Sequence, residues 1–150
     1  MPDSYSSLYY HIVFSTKQRE PWIGHAIEER LWSFLGGIAD RYGMTPLKIG
    51  GREDHLHIGV AIPPTLTVSR AVQMLKGGSS RWVRPTFPDL DTFGWQDGYG
   101  AFTVSKTQLP ATVTYVENQR ERHETWSFED EYRTLLERHG VPYHERFLLD

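Results

Sequence analysis

The chain has 150 residues, which is the usual size of one domain and enough to bury an apolar core without disulfides or structural metal. It contains no cysteine, which excludes a disulfide framework, a zinc ribbon and a thiol nucleophile. The formal net charge is −3, which counts mildly against nucleic-acid binding.

The charge is unevenly distributed along the chain. Residues 46–84 carry six basic and two acidic side chains, a net charge of +4, whereas residues 85–150 carry six basic and twelve acidic ones. A basic middle segment permits one phosphate-binding face on an acidic protein, although ordinary surface variation would give the same pattern. Residues 1–8 lack a secretory signal, and no run approaches the roughly 18 apolar residues that span a bilayer. We therefore expect a cytoplasmic protein with no membrane partner.

The spacing of apolar residues predicts an alternation of strands and helices. In chain order, a strand is predicted at 7–16, a helix at 24–42, strands at 44–49 and 55–62, a helix at 67–83, a strand at 99–105, and helices at 109–123 and 127–139. Gly77 and Gly78 are expected to kink or end the second helix, because glycine is a poor helix former. This order is typical of an α+β fold of the ferredoxin-like (RRM-like) split βαβ kind, with an antiparallel sheet and helices on one face. Residues 1–150 are predicted to form a single domain.

The segment His55-Leu56-His57 lies in the third predicted strand. Residues two apart in a strand point to the same side, with roughly 6.5–7 Å between their Cα atoms. The two imidazoles can therefore converge on one divalent ion while Leu56 packs into the core. The alternative is that both imidazoles are solvated on an exposed sheet face. Asp54 could hydrogen-bond a ligand histidine, but its position before the strand favours a turn residue.

Tyr115 and Gln119 lie four residues apart in the third predicted helix, which places them one turn apart on one face. A phenol with a pKa of about 10 is a weak nucleophile, but it can attack phosphorus if a metal ion polarises the phosphate. The amide oxygen of Gln119 is suited to be a third ligand beside two histidines. The alternative is that Tyr115 packs against the sheet and Gln119 is exposed.

The segment 76–81 combines small residues with flanking cations. Small residues let a phosphate or a base approach the backbone, and the cations attract it. We therefore predict DNA-phosphate contacts at Lys76, Arg81 and Arg84. The alternative is an ordinary helix end with surface cations.

Taken together, these motifs resemble the IS200/IS605 family of transposases, the single-tyrosine relatives of rolling-circle replication and relaxase enzymes. The resemblance extends over most of the chain, and the order and spacing of the motifs carry it. Its segments are 10–17, 51–57, 76–80, 98–102, 104–105, 115–119, 127–128, 135–136 and 139–140. One departure is visible: where family members often carry a His-His pair after the tyrosine segment, this chain has Arg122-His123.

The resemblance implies a role for each matching position. His55 and His57 correspond to the two metal-binding histidines. Tyr115, carried by the C-terminal helices, corresponds to the nucleophile, and Gln119 corresponds to the third protein ligand. Such enzymes use Mg²⁺ or Mn²⁺, recognise hairpins at element ends, and cut and rejoin single-stranded DNA through a 5′-phosphotyrosine. They act as homodimers, in which the tyrosine helix of one subunit can complete the site of the other. No nucleotide cofactor is expected, because the covalent link retains the phosphodiester energy and no P-loop is present.

Three other interpretations stay open at this point. A non-catalytic, domesticated relative would hold structured single strands without cutting them. A metal-dependent phosphoesterase would hydrolyse DNA with water, and Tyr115 would only pack. An RNA-binding domain would use aromatic side chains on the central strands, such as Tyr99 and Phe102.

Overall fold

The computed structural model describes residues 4–122 and 125–150, and it confirms the α+β class. Its strands are β1 (Tyr9–Ser15), β2 (Thr45–Arg52), β3 (His55–Ala61) and β4 (Gly100–Val104). Its α-helices are α1 (His25–Arg41), α2 (Val68–Thr86), α3 (Leu109–Glu117), α4 (Gln119–Arg122) and α5 (Phe128–Arg138). None of the helices in these two ranges is long and apolar enough to cross a bilayer.

The four strands form one antiparallel sheet in the order β2-β3-β1-β4. The central strands β1 and β3 pair in register from Tyr9 opposite Ala61 to Ser15 opposite His55. The strands joined by α1 are separated by β3, and the strands joined by α2 are separated by β1. Each βαβ unit is thus split by one strand, as the sequence predicts.

One face of the sheet packs against α1 and α2. Alternate side chains of the central strands point to this face, and the two helices contribute apolar residues at helical spacing. The buried set includes Ile12, Phe14, Leu56, Ile58 and Val60 from the sheet and Leu31, Leu35, Val72 and Leu75 from the helices. This layer is the larger of the two hydrophobic cores in the described part of the chain.

The opposite face of the sheet is covered as well, by helices that follow the split βαβ unit in the chain. Val13 of β1 and Phe102 of β4 pack against Phe128, Tyr132 and Leu135 of α5. Val13 and Phe102 point away from the core under α1 and α2, because neighbouring residues of a strand point to opposite faces. The second face of the sheet is therefore also apolar and must be covered by other elements. The C-terminal helices provide this cover.

Two helices differ from their predicted form. α2 continues through Gly77 and Gly78 without ending. A Cβ at Gly78 would lie 2.8 Å from Ile38 Cδ1 of α1, so glycine here allows the two helices to pack closely. The predicted helix 109–123 is divided at Asn118, whose φ of −95° and ψ of 22° separate α3 from α4.

The close approach of α3 to the edge strand β2 depends on Gly50. A Cβ at this position would overlap the backbone carbonyl oxygen of Val116 in α3. Glycine therefore sets how closely α3, which carries Tyr115, lies against the sheet.

Gly50→Ala is expected to destabilise the protein by about 1–3 kcal/mol, because α3 must move away from β2 to accept the methyl group. Gly59→Ala in β3 is the matched control, since the nearest heavy atom to its added Cβ lies 3.9 Å away. Urea unfolding measures both changes. Equal midpoints for the two variants would contradict this account of how α3 packs.

Candidate active site

The two predicted ligand histidines lie side by side on the face of β3 that the C-terminal helices cover. His55 and His57 are both 0% exposed, while Leu56 between them belongs to the opposite core. Their ring centroids are 5.2 Å apart. The predicted alternation is confirmed, and the alternative of two solvated imidazoles is wrong.

Each of these imidazoles has a polar partner at its Nδ1 atom. Nδ1 of His55 lies 2.7 Å from Asp54 Oδ1, and Nδ1 of His57 lies 2.7 Å from Nε2 of His11. Burial acts to raise the pKa of Asp54, but the hydrogen bond from His55, with smaller electrostatic contributions, outweighs burial and lowers the pKa. The Asp54 carboxylate therefore favours a proton on Nδ1 of His55, which leaves the Nε2 lone pair for a ligand. For Asp54 a turn residue was favoured over a hydrogen bond to a ligand histidine; the structure shows both, because Asp54 lies in the β2–β3 turn and contacts Nδ1 of His55.

His11 of β1 belongs to the same cluster and was not among the predicted site residues. Its ring centroid lies 5.0 Å from that of His57 and 5.7 Å from that of Tyr115. Burial and the neighbouring His57 lower the pKa of His11 to about 3, so its imidazole is neutral at physiological pH. A neutral His11 can accept the Nδ1 proton of His57 without adding charge to the site.

Gln119 and Tyr115 stay close to the histidines despite the break between α3 and α4. Gln119 is 1% exposed, and its Oε1 lies 3.0 Å from Nε2 of His55. The ring centroid of Tyr115 lies 5.6 Å from that of His57. The structure therefore brings all four predicted chemical positions together within one chain, and the alternative of an exposed Gln119 is wrong.

A buried carboxylate that was not predicted, Glu131 of α5, lies among these groups and is 0% exposed. Its Oε1 lies 3.0 Å from Nε2 of His57 and 3.6 Å from Nε2 of His55. Its Oε2 accepts a hydrogen bond from Nε2 of Gln119 at 3.1 Å and another from the Tyr115 hydroxyl. Glu131 thus contacts every one of the four predicted positions.

One signal in the sequence could have revealed Glu131. It falls within the apolar stripe of α5, whose other buried members include Phe128, Tyr132 and Leu135. A carboxylate is almost never buried unless it is paired, so its presence in such a stripe indicates a polar partner on the surface beneath. The identity of that partner depends on tertiary packing and could not be predicted.

The donor atoms of this cluster fit a divalent cation. Those of His55, His57 and Glu131 all lie within 4.8 Å of one another. Neighbouring ligand atoms around an octahedral ion with bonds of about 2.1 Å lie about 3 Å apart, which is close to the N···O separations of 3.0 and 3.6 Å found here. The mixed set of imidazole nitrogens and hard oxygens accepts several divalent ions.

A groove of about 440 Å³ opens beside Tyr115. Its lining includes His11 and Phe102 from the sheet and Arg138 and His139 from the end of α5. The ring of His139 stacks on Phe102, with centroids 4.4 Å apart and planes inclined at 26°. The groove therefore offers stacked rings and one guanidinium next to the phenol.

The predicted DNA contacts Lys76, Arg81 and Arg84 lie on α2, which covers the face of the sheet opposite the histidines. Arg81 and Arg84 are exposed, and Arg84 donates to the carbonyl oxygen of Phe93 at 3.1 Å. These two cations form a surface separate from the groove beside Tyr115.

Lys76 is held by the protein itself. Its ammonium group donates to the backbone carbonyl oxygens of Gln96, Asp97 and Gly98 at 2.7, 3.1 and 2.6 Å. An ammonium group has three protons, and these three contacts can use all of them. Lys76 is therefore placed to hold the segment before β4 against α2.

The sequence matches the family described as IS200-like transposase over residues 4–119. The chain belongs to this family. The match contains both histidines, Tyr115 and Gln119, and it ends before α5 begins. At Arg122-His123, where the sequence departs from the family's usual His-His pair, His123 lies outside the described residues.

Two relatives of this IS200-like transposase have comparable length. The ISDra2 transposase TnpA of Deinococcus radiodurans is 26% identical in an alignment of 120 residues that covers 77% of this chain and 86% of that protein. The transposase for insertion sequence element IS200 of Salmonella typhimurium is 30% identical in an alignment of 117 residues that covers 75% of this chain and 76% of that protein.

Solved structures have the same fold as this IS200-like transposase. A crystal structure from Deinococcus radiodurans, assigned as a transposase, superposes with a TM-score of 0.65 at 26% identity and covers 79% of this chain and 96% of its own. A REP-associated tyrosine transposase bound to a REP hairpin superposes with a TM-score of 0.58 at 10% identity, covering 85% of this chain and 76% of its own. At that identity the second likeness concerns the fold alone.

Lys76→Met is expected to destabilise the transposase by about 1–3 kcal/mol, because three backbone carbonyls lose a charged donor. Arg81→Met, at an exposed position of the same helix, is expected to change stability by no more than about 0.5 kcal/mol. Urea unfolding of both variants distinguishes the two roles. Equal stability of the two variants would contradict a structural role for Lys76.

Proposed function

We propose that this transposase cuts and rejoins single-stranded DNA through a covalent 5′-phosphotyrosine at Tyr115, with the help of a divalent metal ion. One observation carries the proposal: the ring of Tyr115 lies beside that of His57, in the cluster where His55 contacts the buried amide of Gln119. Membership of the IS200-like transposases supports the same activity. The family match and the position of Tyr115 beside the proposed metal ligands therefore support the same activity.

His55, His57 and Gln119 are the proposed protein ligands of Mg²⁺ or Mn²⁺. When bound, such an ion supplies Lewis-acid stabilisation to the scissile phosphate and orients it. Asp54 and His11 hold the two imidazoles from their Nδ1 sides, which keeps the Nε2 lone pairs directed at the ion.

Tyr115 is the proposed nucleophile. Its phenol oxygen attacks the phosphorus in line, so that the Tyr115 O–P bond forms and the bond from phosphorus to the 3′ oxygen breaks. The phenol loses its proton, and the departing 3′ oxygen takes one up. The covalent link keeps the energy of the phosphodiester, and attack by a second 3′-hydroxyl therefore reverses the step without a nucleotide cofactor.

The DNA strand is proposed to reach Tyr115 through the adjoining groove. Arg138 can contact a phosphate there, and the ring of His139, stacked on Phe102, offers a surface for a base. Arg81 and Arg84 stay the predicted phosphate contacts of a second DNA segment on the opposite face. Such a segment would be the hairpin of the substrate, the kind of ligand named for the REP-associated transposase.

The proposed assembly is a homodimer, as the resemblance to the family implies. Tyr115 lies beside His57 of its own chain, which supports cleavage within one subunit. A partner subunit would then serve to bring two DNA ends together.

Tyr115→Phe is expected to abolish the protein–DNA adduct that survives denaturant, while DNA binding stays close to that of the wild type, because only a hydroxyl group is lost. The assay uses a hairpin-bearing oligonucleotide with Mg²⁺ or Mn²⁺, and chelation of the metal is expected to prevent the adduct as well. Tyr143→Phe is the control, since its hydroxyl binds Glu137 away from the site.

An adduct formed by Tyr115→Phe would assign the chemistry to another tyrosine, such as Tyr99 or Tyr132. Metal-dependent nicking by the wild type without any adduct would favour the phosphoesterase. Binding of the oligonucleotide without nicking would favour the non-catalytic interpretation.

Arg138→Ala is expected to reduce the slope of log affinity against log salt concentration by about one, because one phosphate contact in the groove is lost. Arg133→Ala on the same helix is the control, since Glu129, Asp130 and Glu145 already pair with its guanidinium. Arg81→Ala tests the opposite face in the same assay. An unchanged slope would remove the substituted residue from the proposed DNA contacts.

A further inference from the structure

We propose that Glu131 is a further ligand of the catalytic metal ion and the residue that positions Tyr115 beside it. The inference rests on the proposed function and extends it to α5, which lies outside the stretch that matches the family. Glu131 is separated from Gln119 by 12 residues and reaches the site from a different helix.

The burial of Glu131 requires an explanation. Its side chain is 0% exposed on the apolar stripe of α5, where an ionised carboxylate is costly unless polar groups surround it. The groups that surround it are the nitrogens of His55 and His57, the Gln119 amide and the Tyr115 hydroxyl. All of these groups are proposed metal ligands or the proposed nucleophile, so the carboxylate lies within the proposed active site.

Oε1 of Glu131 lies close to the donor atoms of the other proposed ligands. It is 3.0 Å from Nε2 of His57 and 3.6 Å from Nε2 of His55, and Nε2 of His55 is in turn 3.0 Å from Oε1 of Gln119. Neighbouring ligands of an octahedral ion are separated by about 3 Å, so the four atoms need little movement to share one cation. A carboxylate also supplies the negative charge that two neutral imidazoles and an amide lack.

Oε2 of the same carboxylate faces the nucleophile. It accepts hydrogen bonds from the Tyr115 hydroxyl and from the Gln119 amide. The phenol is thereby held next to the carboxylate that would bind the ion, and Tyr115 also lines the groove. Glu131 is thus a positioning residue for Tyr115 as well as a ligand.

α5 is fixed firmly enough to serve this purpose. The ring of Phe128, one turn before Glu131, stacks on the imidazole of His55 with centroids 4.3 Å apart and planes inclined at 19°. The helix begins with a cap, in which the Ser127 hydroxyl accepts from the backbone N–H of Asp130 at 3.2 Å. The helix that carries Glu131 is therefore docked directly on a ligand histidine.

The experiment measures Mn²⁺ binding to the full chain by electron paramagnetic resonance, in the absence of DNA. Glu131→Gln keeps the shape of the side chain and removes its charge, and it is expected to weaken Mn²⁺ binding by at least about tenfold. Glu129→Gln, two residues earlier on the same helix, is the matched control and is expected to bind like the wild type. Glu131→Asp keeps the charge but withdraws the carboxylate, and it too is expected to bind Mn²⁺ more weakly.

Wild-type affinity in both Glu131 variants would overturn the assignment. Loss of the cooperative unfolding transition would show that Glu131→Gln does not fold. In that case the Mn²⁺ affinity of Glu131→Asp decides, and wild-type affinity would overturn the assignment. His57→Ala separates this inference from the function on which it rests. Weaker binding by His57→Ala alone would overturn only the role of Glu131, whereas no specific Mn²⁺ binding by the wild type would overturn both.

Discussion

The alternation of side chains along β3 is the constraint on which this structure depends. Leu56 must enter the core under α1 and α2, and this places His55 and His57 on the other face of the sheet. That face is covered by helices, so the two imidazoles are removed from water and need polar partners. Asp54 and His11 meet this need at the Nδ1 atoms, while Gln119 and Glu131 bring oxygen atoms to the Nε2 atoms from two separate helices.

The second face thus combines an apolar rim with a polar centre. Val13 and Phe102 pack against α5 around the cluster, while Phe128 covers His55 directly. Within residues 4–122 and 125–150, no buried side-chain nitrogen or oxygen lacks a hydrogen-bond partner. Fully satisfied polar groups in a dry surrounding hold their geometry, which is what a site needs if it must align a nucleophile with a phosphate.

In the proposed function, the two faces of the sheet would bind different parts of the DNA. The groove beside Tyr115 lies under the C-terminal helices, whereas the exposed cations Arg81 and Arg84 lie beyond the sheet on α2. The strand that is cut and the hairpin that is held would therefore contact different surfaces of the chain. A negative net charge is compatible with the proposed DNA binding, because the local charge at each surface decides the attraction.

The parts of this site that could be predicted from the sequence are those that depend on local geometry. A period of two along a strand brings His55 and His57 to one side, and a spacing of four along a helix relates Tyr115 to Gln119. The apolar stripe of α5 indicates that Glu131 is buried, but its place in the site could not be predicted, because it depends on where α5 docks, and docking is a property of the whole chain.

The same limit explains the other differences from prediction. The place of His11 in the cluster follows from the pairing of β1 with β3, which no local pattern specifies. Gly78 was expected to interrupt a helix, because glycine has a low helix propensity. In the structure it allows Ile38 of α1 to pack closely against α2, and helix propensity takes no account of such packing. The structure therefore differs from the prediction where a residue's role depends on a neighbour that is distant in the sequence.

The most direct test of the central claim is a crystal structure of the protein grown with Mn²⁺, in which anomalous scattering locates the ion. The account predicts one strong peak at bonding distance, about 2.2 Å, from Nε2 of both His55 and His57, with the Tyr115 hydroxyl on the open side of the ion. A peak elsewhere, or imidazoles turned away from the peak, would contradict it.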